Sequence, residues 1–205
     1  MPDEERRAFQ WVGGDPALDF NNTVSWNPDG LKEERLRSHE DLVAWAKEAG
    51  LLPRPARLLR ISRRDPSRAR AALARALALR KTLHEVFTAL AGGRTPDARS
   101  VRDFEAYLAR AFKRLRIRPR GDTFRWAFAG TDTDLLAPLW GVSWHAARLL
   151  TSLSGQILRR CANPDCGWVF LDRSRKRNRR WCDMQVCGSR AKANAYYARK
   201  RAKRS

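Results

Sequence analysis

Four cysteines, all within 27 residues of the C-terminal part, constrain this chain more than any other feature. They fall as Cys161-x4-Cys166, then fifteen residues, then Cys182-x4-Cys187. Two short pairs separated by the length of a hairpin bring four thiolates to one point, the donor set that satisfies tetrahedral zinc and leaves no position for an activated water. Residues 162–165 (Ala-Asn-Pro-Asp) have turn chemistry that folds the first two sulfurs together, and Gly167 permits a backbone turn just after the second ligand. The chain shows neither an apolar stretch of membrane-spanning length nor a secretory leader, so a cytoplasmic location is expected. In a reducing compartment such cysteines bind metal rather than form disulfides. One structural zinc ion is therefore the expected cofactor.

Around the cysteines, residues 168–171 are a strand candidate, 173–178 a polar turn, 179–181 a return strand, and the chain from about Gly188 a helix. Ala191, Ala195, Ala198 and Ala202 form one stripe of that helix, suited to close packing. The order knuckle, hairpin, helix is that of a treble clef. Trp168, Phe170 and Trp181 are expected to be the finger's own core.

Charge is concentrated in the same region. The whole chain carries +20, and the last 47 residues hold 15 Lys and Arg against Asp165, Asp172 and Asp183, a net of +12. A field that dense calls for a polyanionic partner. Arg173, Arg175, Lys176, Arg177, Arg179 and Arg180 on the hairpin, with Arg190 and Lys192 at the helix start, are the candidate nucleic-acid contacts. Arg199, Lys200, Arg201, Lys203 and Arg204 follow on the helix, and Asn194 could pair with adenine, although solvation explains it more simply.

The longer N-terminal part has the apolar content for a core, with 43% hydrophobic residues in the chain. Residues 9–12 are a strand candidate. Asp15-Pro16 caps a short helix over 17–23, Ser38 with Asp41 forms a capping box before a helix ending at Gly50, and Asp65-Pro66 opens the longest periodic stretch, which ends at Gly92-Gly93. Thr95-Pro96 starts another helix, residues 117–119 and 123–128 flank Arg120-Gly121-Asp122 as a hairpin, and a last helix is predicted over 134–158. That helix would deliver the chain to Cys161 without a linker. The expected fold class is α+β: a mostly helical N-terminal domain with a small antiparallel sheet (1–158), then a C-terminal treble-clef zinc finger with four cysteine ligands (159–205).

Asp19, Asn22 and Thr23 could line a small-molecule pocket in the N-terminal domain. His39, His84 and His145 are widely separated and read as surface or satisfied interior histidines. With no nucleophile, phosphate loop or second metal signature in view, an enzyme is not expected.

The residues also resemble a known family. The segments 161–175 (Cys-Ala-Asn-Pro-Asp-Cys-Gly-Trp-Val-Phe-Leu-Asp-Arg-Ser-Arg), 179–184 (Arg-Arg-Trp-Cys-Asp-Met) and Cys187-Gly188-Ser189-Arg190 are similar to the CGNR zinc finger, with Ser189 where the family signature has Asn. Either residue can cap a helix start. Residues 14–20 (Gly-Asp-Pro-Ala-Leu-Asp-Phe) with Asn22-Thr23 resemble the opening of the ABATE domain that precedes that finger. The resemblance implies a bacterial transcription regulator with a DNA-binding finger and an N-terminal domain that binds an unidentified small effector. The expected partner is DNA, with no membrane and with a homodimer supplying two half-sites. An RNA-binding module is the alternative, and a protein-interaction module a third reading.

Overall fold

The computed structural model describes residues 9–25, 33–153 and 157–202. Among these described residues, seven α-helices and two two-stranded antiparallel sheets order as α1 (Pro16–Asn21), α2 (His39–Glu48), α3 (Ala56–Arg64), α4 (Pro66–Ala91), α5 (Ala98–Arg114), β1 (Leu115–Arg120), β2 (Thr123–Phe128), α6 (Ala137–Thr151), β3 (Leu158–Arg160), β4 (Val169–Leu171) and α7 (Ser189–Ala202). The α+β class and the helical character of the larger part follow the sequence reading. None of the described helices is long and apolar enough to cross a membrane.

The caps fall where the side-chain chemistry places them. Asp15 accepts the Ala17 N–H at 2.8 Å with Pro16 in the first turn. Ser38 accepts the Asp41 N–H while Asp41 accepts the Ser38 N–H, a reciprocal capping box. Asp65 caps α4 through the Arg68 N–H. Helix α5 begins later than the Thr95-Pro96 signal, because the Asp97 carboxylate captures the Arg99 and Ser100 N–H groups.

Helix α4 contacts every other helix of the larger part, and also β3 and β4. Its buried stripe of Ala72, Ala76, Leu79, Leu83 and Phe87 meets Leu18 and Phe20 of α1, Leu42 and Trp45 of α2, and Val142 and Ala146 of α6 in one core. Arg80 is buried on the same helix, donating to the Thr23 hydroxyl at 2.8 Å and paired with Glu34. Among the histidines, His39 is buried between the Ser62 hydroxyl, 2.6 Å from Nδ1, and the Leu135 carbonyl, 2.8 Å from Nε2. Burial lowers its pKa, so it packs neutral.

Three expectations are corrected, and one helix is added. Residues 9–12 form no strand; Val12 instead packs against the cysteine cluster. Helix α3 was not foreseen. Helix α6 stops at Thr151 rather than running to Leu158, and Leu158–Arg160 is a strand. Finally, residues 179–181 are not the return strand: β4 pairs with β3, in the register Leu158↔Leu171, Arg159↔Phe170, Arg160↔Val169. The finger's hairpin thus encloses the first cysteine pair instead of the polar turn.

This pairing makes β4 a strand with two buried faces. Val169 and Leu171 point into the large core together with Leu158. Trp168, just before the strand, and Phe170 point the other way and join Cys161, Cys166, Cys182 and Cys187 in a second, smaller core. The two cores share one strand.

Candidate metal centre and nucleic-acid interface

Each cysteine is positioned by a different local device. Cys161 leaves β3 with its N–H on the Trp168 carbonyl at 2.8 Å, which closes the knuckle. Inside the knuckle, buried Asn163 accepts the Asp165 N–H on its side chain and the Cys166 N–H on its carbonyl, and its amide points at the Cys187 sulfur from 3.6 Å. Gly167 has φ 69°, the left-handed turn that follows. Ala162 N–H to Arg180 O at 2.8 Å then holds the returning chain beside the knuckle, and the Cys182 N–H faces the Cys161 sulfur at 3.4 Å.

Cys187 lies in a wide helical turn, Met184–Gly188, capped by the Asp183 carboxylate on the Gln185 and Val186 N–H groups. Gly188 packs closely here: a Cβ there would lie 2.5 Å from the Met184 sulfur, on an exposed side chain that would have to swing aside, and 3.3 Å from the Trp181 ring. That turn feeds directly into α7.

The four sulfurs lie within 4.8 Å of one another and all four cysteines are buried. Cys166 and Cys182 are 3.6 Å apart and Cys182 and Cys187 3.5 Å. A disulfide would need about 2.05 Å, whereas a tetrahedron built on zinc–sulfur bonds of about 2.3 Å has edges near 3.8 Å. The cluster fits one zinc ion with four thiolates. Closed on all four sides by protein sulfur, the ion has a structural role.

The candidate nucleic-acid contacts divide into two groups. Arg173, Arg175, Lys176, Arg177 and Arg180 on the turn, and Arg190 and Lys192 on α7, are exposed. Arg179 is half-buried: its guanidinium donates to the Trp181 carbonyl at 3.0 Å and to the Cys182 carbonyl, and it lies 4.4 Å over the Phe170 ring. It braces the finger from inside. Asn194 is exposed. Ala191 is half-buried, whereas the side chains of Ala195, Ala198, Arg199, Arg201 and Ala202, and all of Lys203 and Arg204, lie outside the described residues. Trp168 and Phe170 are buried as expected of a core; Trp181 is only half-buried, with Arg180 over its ring at 5.4 Å.

One residue that the sequence reading passed over organises the turn. Buried Asp172 accepts from Arg159 Nε at 2.7 Å, from the Ser174 hydroxyl at 2.6 Å and N–H at 3.0 Å, and from the Arg179 N–H at 3.0 Å. Its pKa, opposed by burial, is nonetheless pulled down to about 2 by these donors. Arg177, with φ 46°, offers its carbonyl to Arg159 at the crest of the same turn.

Asp19, Asn22 and Thr23 are all buried, and each has a protein partner. Thr23 donates to the Phe20 carbonyl and accepts from Arg80. Asn22 reaches the finger: its amide donates to the Val169 carbonyl at 2.9 Å and its oxygen accepts the Val169 N–H at 3.1 Å. Asn21 donates in turn to the Asn22 oxygen. With Trp168 Nε1–H on the Val24 carbonyl at 2.8 Å and Leu171 N–H on the Gly13 carbonyl at 2.9 Å, the finger is stitched to the first helix on both sides. A groove of about 390 Å³ reaches the metal centre itself, with Cys166, Cys182 and Cys187 in its wall beside Phe9, Arg35, Asp165, Trp168 and Arg190, and none of Asp19, Asn22 and Thr23 lines it.

Asp19 accepts the Gly13 N–H at 2.7 Å, and burial pushes its pKa up to about 6. The folded chain holds this proton up to about pH 6, while the unfolded chain loses it near pH 4, so stability falls as pH rises between those values. Asp19→Asn keeps an acceptor for Gly13 and removes the titration. Urea midpoints should show wild type losing about 1 kcal/mol against this variant from pH 5 to pH 7; a constant difference would refute the assignment.

Residues 14–153 match the ABATE family, described as "Putative stress-induced transcription regulator", and residues 158–200 match the CGNR zinc finger. No curated protein matches the chain.

Proposed function

We propose a function from one premise: this chain belongs to the ABATE family and carries a CGNR zinc finger over residues 158–200. It is a zinc-dependent, DNA-binding transcription regulator whose finger carries the DNA contact and whose N-terminal domain answers to a small effector. The carrying observation is a set of seven exposed cations, Arg173, Arg175, Lys176, Arg177, Arg180, Arg190 and Lys192, on one metal-stapled unit. Among the described residues none of the seven makes an ion pair. Two acids close in sequence are spent inside the finger, Asp172 on Arg159 and the turn, Asp183 on the cap before Cys187. Uncompensated charge on a rigid scaffold supports phosphate binding.

The effector part of the reading attaches to the groove beside the sulfurs, because Asp19, Asn22 and Thr23 spend their side chains on Gly13, Val169, Phe20 and Arg80. A ligand there would touch both Arg35 of the N-terminal part and Arg190 of the finger. We place the division of labour at residue 158, with the larger part also supplying a dimer contact.

Binding to random duplex DNA and to structured RNA pools across a salt series tests the reading, with a chelated control. Zinc-loaded protein should prefer duplex DNA. Arg175→Gln/Lys176→Gln/Arg177→Gln should weaken it about 10- to 100-fold and make the dependence of log affinity on log salt shallower by about 2 to 3. RNA preference, or unchanged affinity after chelation, would overturn it.

A further inference from the structure

A second basic surface lies far along the chain from the finger. In β1 and β2 the register pairs Leu115↔Phe128, Arg116↔Ala127, Ile117↔Trp126, Arg118↔Arg125, Pro119↔Phe124 and Arg120↔Thr123. Opposed residues share a face and successive residues alternate. One face is therefore apolar throughout, and the other carries Arg116, Arg118, Arg120 and Arg125.

The apolar face settles which way the hairpin points. Its base leans on α6, with Phe128 6.1 Å from Trp140 and Trp126 6.0 Å from Trp144. The arginine face consequently looks away from the body, and all four of its arginines are exposed. Arg116 turns back onto the Lys113 and Leu115 carbonyls. Among the described residues, Arg118, Arg120 and Arg125 meet no carboxylate. Arg118 and Arg125 stand directly opposite one another, a placement of like charges that costs stability in an isolated ribbon.

We propose that this ribbon is a second nucleic-acid contact, an arginine-faced hairpin that lies along a groove of the duplex held by the finger. The inference rests on the DNA-binding reading above. Two strands about 5 Å apart and about 20 Å long fit a major groove about 12 Å wide, which admits a two-stranded ribbon. The repulsion between Arg118 and Arg125 is relieved when each meets a phosphate, or when one forms two hydrogen bonds to guanine. Two contacts on one chain would also raise affinity through effective concentration, beyond what a single finger reaches.

The exposed end of the apolar face, with Phe124 at 70% and Ile117 at 57% exposure, offers a rival occupant, a second copy of the chain. The test separates the two. Arg118→Gln/Arg120→Gln/Arg125→Gln in the full zinc-loaded chain is compared with wild type, with the Arg118→Lys/Arg120→Lys/Arg125→Lys variant and with the finger triple variant, on one 30-base-pair duplex across salt.

The Gln variant should bind about 10- to 100-fold more weakly, with a salt slope shallower by about 2.7, with wild-type zinc content and sedimentation, and with a melting temperature no lower than that of wild type. The Lys variant should recover the slope. Wild-type affinity and slope in the Gln variant, while the finger variant loses both, would overturn the hairpin contact and leave the finger reading standing. Loss of self-association in place of duplex affinity would also overturn it. Failure of the wild-type protein to bind duplex DNA would sink both.

Discussion

Chelating the zinc is expected to unfold residues 161–188 and to lower the melting midpoint of the rest of the chain as well. The small core consists of four cysteines with Trp168 and Phe170, too little apolar area to hold a hairpin and a turn without the ion. Structural zinc of this kind contributes on the order of 10 kcal/mol of apparent free energy, which disappears on chelation. The effect spreads because Val169 and Leu171 belong to the large core and Leu171 bonds to Gly13. Circular dichroism melts with and without chelator, and with Cys182→Ser, would measure it. A chelator that leaves the melt unchanged would refute the metal assignment.

Asn22→Ala is expected to destabilise the chain strongly while leaving zinc bound. It strands both the N–H and the carbonyl of buried Val169, two backbone groups that lose their partner together. At about 1–3 kcal/mol for each orphaned group, the loss is about 2–6 kcal/mol. Asn22→Asp is the sharper probe, since a carboxylate can still accept the Val169 N–H but faces the carbonyl with a second acceptor. In both variants the single unfolding transition should split into two, one zinc-dependent and one not. A single transition at the wild-type midpoint would show that Asn22 does not join the two parts.

What could be read before the structure was what depends on neighbours in sequence. Cysteine spacing, the Asp15 and Asp65 caps, the Ser38–Asp41 box and the Gly121-Asp122 hairpin are local, and each was legible. Helix α3 was hidden because Pro55 gives it no side-chain cap and arginines interrupt its few apolar residues. Apolar periodicity through Leu153 and Ile157 extended α6 too far, since hydrophobic pattern alone does not register where a buried helix gives way to a buried strand. The return strand at 179–181 was misplaced for a related reason. The partner of β4 precedes the knuckle, and only three residues of it are strand. In the sequence Asp172 looks like an ordinary surface acid, Arg179 like a nucleic-acid contact and Asn22 like the wall of a pocket, until distant carbonyls and amides are brought to them.

The two bonds between Asn22 and Val169 join residues 147 positions apart. At a synthesis rate of about 5–20 residues per second, roughly 7–30 s pass between the making of one partner and the other. For that interval the first helix has no strand to close against, and the surface that later receives Val169 and Leu171 stays open to solvent or to chaperones. The strand that closes this surface is also the one that carries Phe170 into the small core with the four cysteines. A chain that has not bound zinc is therefore expected to leave part of the large core uncovered where Val169 and Leu171 would sit, so that the metal bears on the packing of the N-terminal part and not of the finger alone.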